Sequence, residues 1–216
     1  MCPSGRPAGR APGRGGGPED WGGVGAGAWG VGRTIDYLEK DSSVDPKRIA
    51  VEGHSRIGKT ALWASATDPR IAALFVSCAG EMGSALSRRD WGETVDDMAQ
   101  NFPWWFSATF QKWPGRWNDM PVDAHMLIAL SAPRPVFLTG GTKDQWADPV
   151  GIYLSAIAAG PVYRLLGGKD LGITAAPPPL DPPVTSGDIC WHYPTGVHAR
   201  VPEDCRACRV FPAQSY

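Results

Sequence analysis

Apolar residues in this chain fall into short runs with little alternation, separated by longer stretches of helical periodicity. Arg48-Ile49-Ala50-Val51-Glu52 reads as a strand, and the apolar run Ile71–Ala79 takes strand character from Leu74 onward. Pro135–Thr139 forms a third strand and Asp188–Tyr193 a short fourth. Runs that do not alternate suit a parallel sheet buried on both faces. Between them the spacing predicts helices. Glu19–Lys40 sets Trp29, Val31, Ile35 and Leu38 toward one face. Thr60–Ala66, Glu93–Gln100 and Asp123–Leu130 follow. Asp148-Pro149 opens another helix that runs through Ala159, with Pro149 suited to the first helical position. Strands alternating with helices predict an α/β fold on a parallel sheet.

The remaining stretches divide the chain. Residues 1–18 are Gly, Pro, Arg and Ala without the apolar core of a signal peptide, and are expected to be disordered. Residues 19–200 hold the predicted elements. Residues 201–216, rich in Pro, Cys and Arg, read as an irregular tail. Gly80–Trp117 is a long, Trp-rich insertion after a strand, the kind of segment that carries function. Its clusters Trp104-Trp105 and Trp113…Trp117 are read first as core and second as sugar-stacking surfaces. Leu166–Gly187 is a Gly- and Pro-rich loop, and no internal repeat is visible.

Composition narrows the classes. A chain of 216 residues holds one domain with a sizeable core. A formal net charge of −1 argues against nucleic-acid binding and against a polybasic membrane anchor. No apolar run reaches the length of a membrane span. The five cysteines have no regular spacing and form no disulfide framework. Cys205-Arg206-Ala207-Cys208 lacks a second Cys pair and is read as incidental.

One stretch carries chemistry. Strand Arg48–Glu52 leads through Gly53-His54-Ser55-Arg56-Ile57-Gly58-Lys59 into helix Thr60–Ala66. A serine on a sharp strand-to-helix bend is the context of a nucleophile elbow, although Ile57 stands where G-x-S-x-G has its second Gly. An ordinary strand-to-helix turn that happens to contain Ser is the alternative. The elbow run continues into other ordered motifs. These are Ala85-Leu86-Ser87-Arg88-Arg89, Gly92-Glu93, Pro121-Val122-Asp123-Ala124-His125-Met126-Leu127-Ile128-Ala129-Leu130 and Ala132-Pro133-Arg134-Pro135-Val136. Together they resemble the glucuronoyl esterases, carbohydrate esterase family 15, over Glu19–His198. The resemblance implies an α/β-hydrolase fold. The chain offers about four strands, fewer than a whole sheet of that fold. It therefore reads as the carboxyl-terminal part of a longer, bacterial-type esterase, with the absent strands before the serine strand.

A serine esterase needs a nucleophile, a base, an acid to orient the base, and donors for the oxyanion. Ser55 is the candidate nucleophile. The chain has four His, at 54, 125, 192 and 198. His54 is expected to point away from Ser55, and His125 lies within a predicted helix as a core or supporting residue with its hydrogen bonds satisfied. His192 and His198 both follow the last strand, where the base belongs, and the resemblance puts the role on His198. The Arg56 N–H stands where an oxyanion donor belongs, and the resemblance adds its guanidinium. For the acid, Cys78 occupies the position at which many relatives carry Glu, and a thiol cannot hold an imidazolium by charge. Asp144, just past the third strand, is the preferred acid, with Glu81 a weaker candidate. Asp148 is read as a helix cap.

Lys59, Glu93 and Trp146 resemble the family's contacts to the glucuronoyl ring. Arg88 or Arg89 is expected near the substrate's acid group, without a choice between them. The resemblance implies a serine esterase of (4-O-methyl-)glucuronic acid esters, needing no metal and no organic cofactor. It would be a monomer, secreted or periplasmic, acting on a small-molecule or polysaccharide substrate. An esterase of acetylated xylan or other sugar esters is the alternative enzyme, and a non-catalytic remnant the alternative from another class.

Overall fold

The computed structural model describes residues 17–174 and 176–210. Most of the segment expected to be disordered, residues 1–18, and the end of the tail lie outside these. The chain opens with helix α1, Gly23–Leu38, whose buried stripe is Ala28, Gly32 and Ile35. These lie four and three residues apart and share one face. Trp29, expected on that face, is instead 57% exposed, with the Arg33 guanidinium 5.7 Å from its ring centre. Trp29 lies six positions before Ile35, about 120° round the helix and outside the buried stripe.

Strand β1, Ala50–His54, then bends at Ser55 into helix α2, Arg56–Thr67. Strand β2 is Ala73–Ser77, helix α3 Val95–Asn101 and helix α4 Ala124–Ala129. Strand β3 is Val136–Thr139 and helix α5 Pro149–Leu165. Helix α5 runs past the expected end at Ala159 despite Pro161, because burial continues through Gly160 and Tyr163. Strand β4 is Ile189–His192, and a last helix α6 spans Pro202–Val210. The expected irregular tail is thus helical in its described part. The Asp204 carboxylate accepts the Val201 N–H at its start, and Pro202 fits the first turn.

The four strands form one parallel sheet in the order β1-β2-β3-β4. Leu74 faces Val136, and Val136 faces Ile189. The sheet's main core joins Leu74, Val76, Val136, Leu138, Ile189 and Trp191 to Leu62 of α2, Ile128 of α4 and Ile152 and Tyr153 of α5. Burying side chains of this size stabilises by roughly 1.5–3 kcal/mol each. The alternate residues Phe75, Phe137 and Cys190 form a second cluster, which Ala207 of α6 packs against. Both faces are covered, which accounts for the unalternating strand sequences. The Trp-rich insertion builds its own small cluster of Val95, Met98, Ala99, Phe110 and Met120, flanked by half-buried Trp105, Trp113 and Trp117. Trp104 is 42% exposed and does not join the core as expected.

Candidate active site

Ser55 sits at the bend between β1 and α2 with φ 56° and ψ −128°. A non-glycine residue held there carries backbone strain, of the order of 1–3 kcal/mol. The bend is tight because its neighbours are small. A Cβ on Gly53 would fall 2.3 Å from the Ile57 carbonyl oxygen, and one on Gly58 2.9 Å from the Ala79 Cβ. The missing second Gly of the usual motif is not needed, since Ile57 points outward and is 52% exposed. Ser55 N–H donates to the Ser77 carbonyl at 2.7 Å, which pins the bend to β2. The Ser55 hydroxyl has no hydrogen-bond partner among the described residues. Catalytic hydrogen bonds are often long before substrate binds.

The loops after β3 and β4 bring two further groups together. Thr142 N–H donates to the Pro194 carbonyl at 3.0 Å and Lys143 N–H to the Gly196 carbonyl at 2.7 Å. Gly141 is required here, because a Cβ would lie 2.5 Å from the Val197 carbonyl oxygen. This lacing sets His198 Nδ1 2.6 Å from Asp144 Oδ2. The Asp144 hydrogen bond raises the His198 pKa above the usual imidazole range, against the opposing effect of burial. His54, expected to point away from Ser55, packs against His198. Its ring centre is 4.7 Å from that of His198, and its Nδ1 is 3.1 Å from the Ser77 hydroxyl. Burial first, then the charge of His198, lowers the His54 pKa.

The other candidate acids are elsewhere engaged. Glu81 is buried and accepts from the Ser87 hydroxyl, and burial pushes its pKa up to about 7. Cys78 has φ 50°, and burial pushes its thiol up to about 11. Its sulfur, an Asp144 oxygen and a His198 nitrogen lie within 4.8 Å of one another, a spacing three metal ligands could share. His192, the other histidine after the last strand, is taken up in structure. Its Nδ1 is 2.6 Å from the buried Asp204, and its Nε2 contacts Asp181. His125 lies on α4, but its buried Nδ1 has no hydrogen-bond partner among the described residues, so it is not satisfied as expected.

Arg56 opens α2, where backbone N–H groups lack helical acceptors. Its guanidinium is 5.2 Å from the Trp105 ring centre. One turn on, Lys59 is 3% exposed, donates to the Ala79 carbonyl and stands 3.7 Å from Glu93 Oε2. Glu93 Oε1 in turn accepts from Trp146 Nε1 at 3.1 Å. Burial lowers the Lys59 pKa and raises that of Glu93, and each charge partly offsets the effect on the other. Lys59, Glu93 and Trp146 therefore form one connected group, and both charges act on His198. Beyond Lys59 opens a largely apolar cavity of about 470 Å³, with Trp21, Trp63, Trp105, Phe110 and Trp113 among its walls. Arg88 and Arg89 each have an acidic partner in the protein. Arg88 Nη1 lies 3.2 Å from Asp123 Oδ2, and Arg89 Nε 2.8 Å from Asp148 Oδ2. Asp148 caps α5 as expected, accepting from Gly151 N–H at 3.0 Å.

A family model described as glucuronyl esterase, fungi, matches residues 16–167. The chain belongs to the glucuronoyl esterase family. It is 44% identical over 178 residues to carbohydrate esterase MZ0003 of an unknown prokaryotic organism, covering 82% of this chain and 41% of that protein. It is 38% identical to 4-O-methyl-glucuronoyl methylesterase 1 of Phanerochaete chrysosporium, over 66% of this chain and 32% of that one. Among solved structures, a glucuronoyl esterase from Solibacter usitatus superimposes with a TM-score of 0.89 at 41% identity, over 98% of this chain and 54% of that one. A glucuronoyl esterase from Sporotrichum thermophile, in complex with methyl 4-O-methyl-β-D-glucopyranuronate, matches at 29% identity with a TM-score of 0.57, over 68% and 42% of the two chains. The chain thus spans about half the length of these relatives or less. Its parallel sheet and serine bend are those of the α/β-hydrolase fold, which these esterases adopt.

Proposed function

We propose that this chain carries the catalytic centre of a serine esterase acting on esters of (4-O-methyl-)glucuronic acid. The observation that carries the reading is the short His198–Asp144 hydrogen bond, with His198 packed on His54 where β1 enters the strained serine bend and within reach of the charges of the connected group Lys59–Glu93–Trp146. The relative solved with a methyl glucuronate in its structure supports the substrate class.

In the proposed reaction the Ser55 hydroxyl adds to the uronoyl carbonyl as His198 accepts its proton. Asp144 holds the imidazole in the tautomer with Nδ1 protonated and stabilises the imidazolium that forms. The Arg56 N–H and guanidinium face the developing oxyanion, a contribution of roughly 3 kcal/mol or more in a water-poor site. His198 returns the proton to the departing alcohol, leaving a glucuronoyl ester on Ser55. Water, activated by the same imidazole, then releases the uronic acid. Lys59 and Glu93 offer charged partners to ring hydroxyls, and the half-exposed Trp146 indole offers a face for the sugar. Action outside the cytoplasm belongs to the same proposal. Among the described residues, no helix is long and apolar enough to cross a membrane.

The test compares the protein and its Ser55→Ala variant on benzyl glucuronate and on acetylated xylan. Serine-dependent turnover with benzyl glucuronate preferred is expected. Preference for acetylated xylan would assign a different sugar ester. A cooperative thermal melt without turnover on either substrate would favour the non-catalytic reading.

A further inference from the structure

We propose that Arg89 is a positioning residue that holds the turn Asp144–Asp148, and with it the triad carboxylate and the Trp146 indole, in one rigid frame with Glu93. This turn bears three of the site's features within five residues: Asp144 at its start, Trp146 at its middle and the α5 cap Asp148 at its end. Its backbone closes on itself, with Ala147 N–H donating to the Asp144 carbonyl at 3.2 Å and Asp148 N–H to that of Gln145 at 3.3 Å. Asp148 has φ 47°, a strained backbone that the surroundings must hold in place.

Arg89 supplies that hold. Its Nε lies 2.8 and 3.1 Å from the two Asp148 carboxylate oxygens, and the Asp148 side chain is 3% exposed. A buried carboxylate needs a charged partner, and burial raises the Asp148 pKa in spite of Arg89 and the Gly151 N–H. The guanidinium also lies 5.7 Å from the Trp91 ring centre, which braces it from the solvent side. A second lacing starts four residues on. Glu93 N–H donates to the Trp146 carbonyl at 2.7 Å, and the Trp146 indole returns a hydrogen bond to the Glu93 carboxylate. Gly92 permits this contact. It has φ 75°, and a Cβ there would meet the Gln145 carbonyl oxygen at 2.5 Å. Segment 89–93 therefore grips the turn at its end and at its middle. The groups proposed to meet the sugar and the group that orients the base cannot move independently. Neither Arg89 nor Gly92 is among the groups that act on His198, so an effect on the base passes through the two carboxylates the frame carries, Asp144 first and Glu93 second.

The inference rests on the proposed esterase reading for its rate consequence, but its primary readout does not need turnover. The groups facing His198 are Asp144, Glu93, Lys59, His54 and Cys78. The experiment is an NMR titration of His198 in the whole protein and in Arg89→Gln, Arg89→Lys and Gly92→Ala, with thermal melts of each. In Arg89→Gln the His198 pKa falls toward the ordinary imidazole range, because Asp144 no longer keeps its short contact. Arg89→Lys keeps the charge with a different donor geometry and restores the value in part. Gly92→Ala leaves the ion pair intact, displaces the turn through its carbonyls and gives the same fall. On a glucuronate ester the Gln variant loses about a hundredfold in kcat, as small misplacements do, and the acid limb of kcat/KM moves to lower pH. An unchanged His198 titration in both Arg89→Gln and Gly92→Ala, with only a lowered melting temperature, overturns the proposal. Wild-type protein that turns over no ester, yet shows the His198 shifts, supports the frame and overturns the esterase reading alone.

Discussion

Replacing Asp144 with Asn tests the assignment of the triad acid. The substitution keeps size and hydrogen-bonding capacity but removes the charge 2.6 Å from His198 Nδ1. Unit charges about 4 Å apart attract by about 4 kcal/mol at an effective dielectric constant near 20. The His198 side chain is 40% exposed, so solvent screening reduces this to roughly 2–3 kcal/mol. That alone lowers the rate by roughly 30- to 160-fold. An Asn amide also turns an N–H toward Nδ1, selecting the tautomer that leaves the nitrogen nearer Ser55 protonated and unable to accept a proton. The combined loss expected is about 10⁴ in kcat, as for triad acids elsewhere. KM and the melting temperature change little, since Asp144 is not among the groups proposed to touch the sugar. The direction of the pH effect follows from the raised His198 pKa. Activity needs neutral His198, so the wild-type acid limb lies above the ordinary imidazole value and moves down in the variant. The assay is the pH dependence of benzyl glucuronate hydrolysis, read separately as kcat and kcat/KM. Near-normal kcat in Asp144→Asn, with a collapse in Glu81→Gln, would sink this reasoning and move the acid to Glu81.

Three further outcomes are expected. Lys59→Met, which keeps the buried stem and removes the ammonium, raises KM for a glucuronate ester while sparing a simple acetate ester; equal losses on both would assign Lys59 to supporting the bend. Arg56→Ala lowers kcat and kcat/KM together by about a hundredfold, the signature of a contact made in the transition state, whereas a change confined to KM would remove it from the oxyanion site. Asp204→Ala lowers stability by roughly 1–3 kcal/mol, because it leaves the buried His192 Nδ1 without its partner. For His192, burial lowers the pKa but hydrogen bonds donated to Asp204 and Asp181 outweigh it and raise the folded value. The stability contributed is therefore full below the ordinary imidazole range and is lost as pH rises through the folded value. Thermal melts should show the gap between wild type and Asp204→Ala widest near pH 5.5 and narrowing above neutrality, and a gap independent of pH would count against this.

The elements were legible from the chain because their causes are local. Unalternating runs such as Ala73–Ser77 and Val136–Thr139 require burial on both faces, and the described strands lie within two residues of the expected ones. The serine bend was legible for the same reason: Gly53 and Gly58 permit a close approach within a six-residue span. The choice of Asp144 and His198 came from position after a strand and from family likeness. Their 2.6 Å contact arises only in three dimensions, from two loops laced across 54 residues of sequence. Periodicity alone misplaced Trp29, since an aromatic residue beside the buried stripe of a helix carries no local mark of exposure. The tail was misread because α6, with a low share of apolar residues, is held by Asp204 on His192 and by Ala207 against the sheet. Nor does any local pattern show that Arg89 reaches Asp148 across 59 residues, or that His54 packs on His198. Hydrophobic period and turn chemistry act within a few residues, so a sequence states them directly. Which charge meets which, and which buried carboxylate is paired, depends on loop paths that only the packed sheet determines.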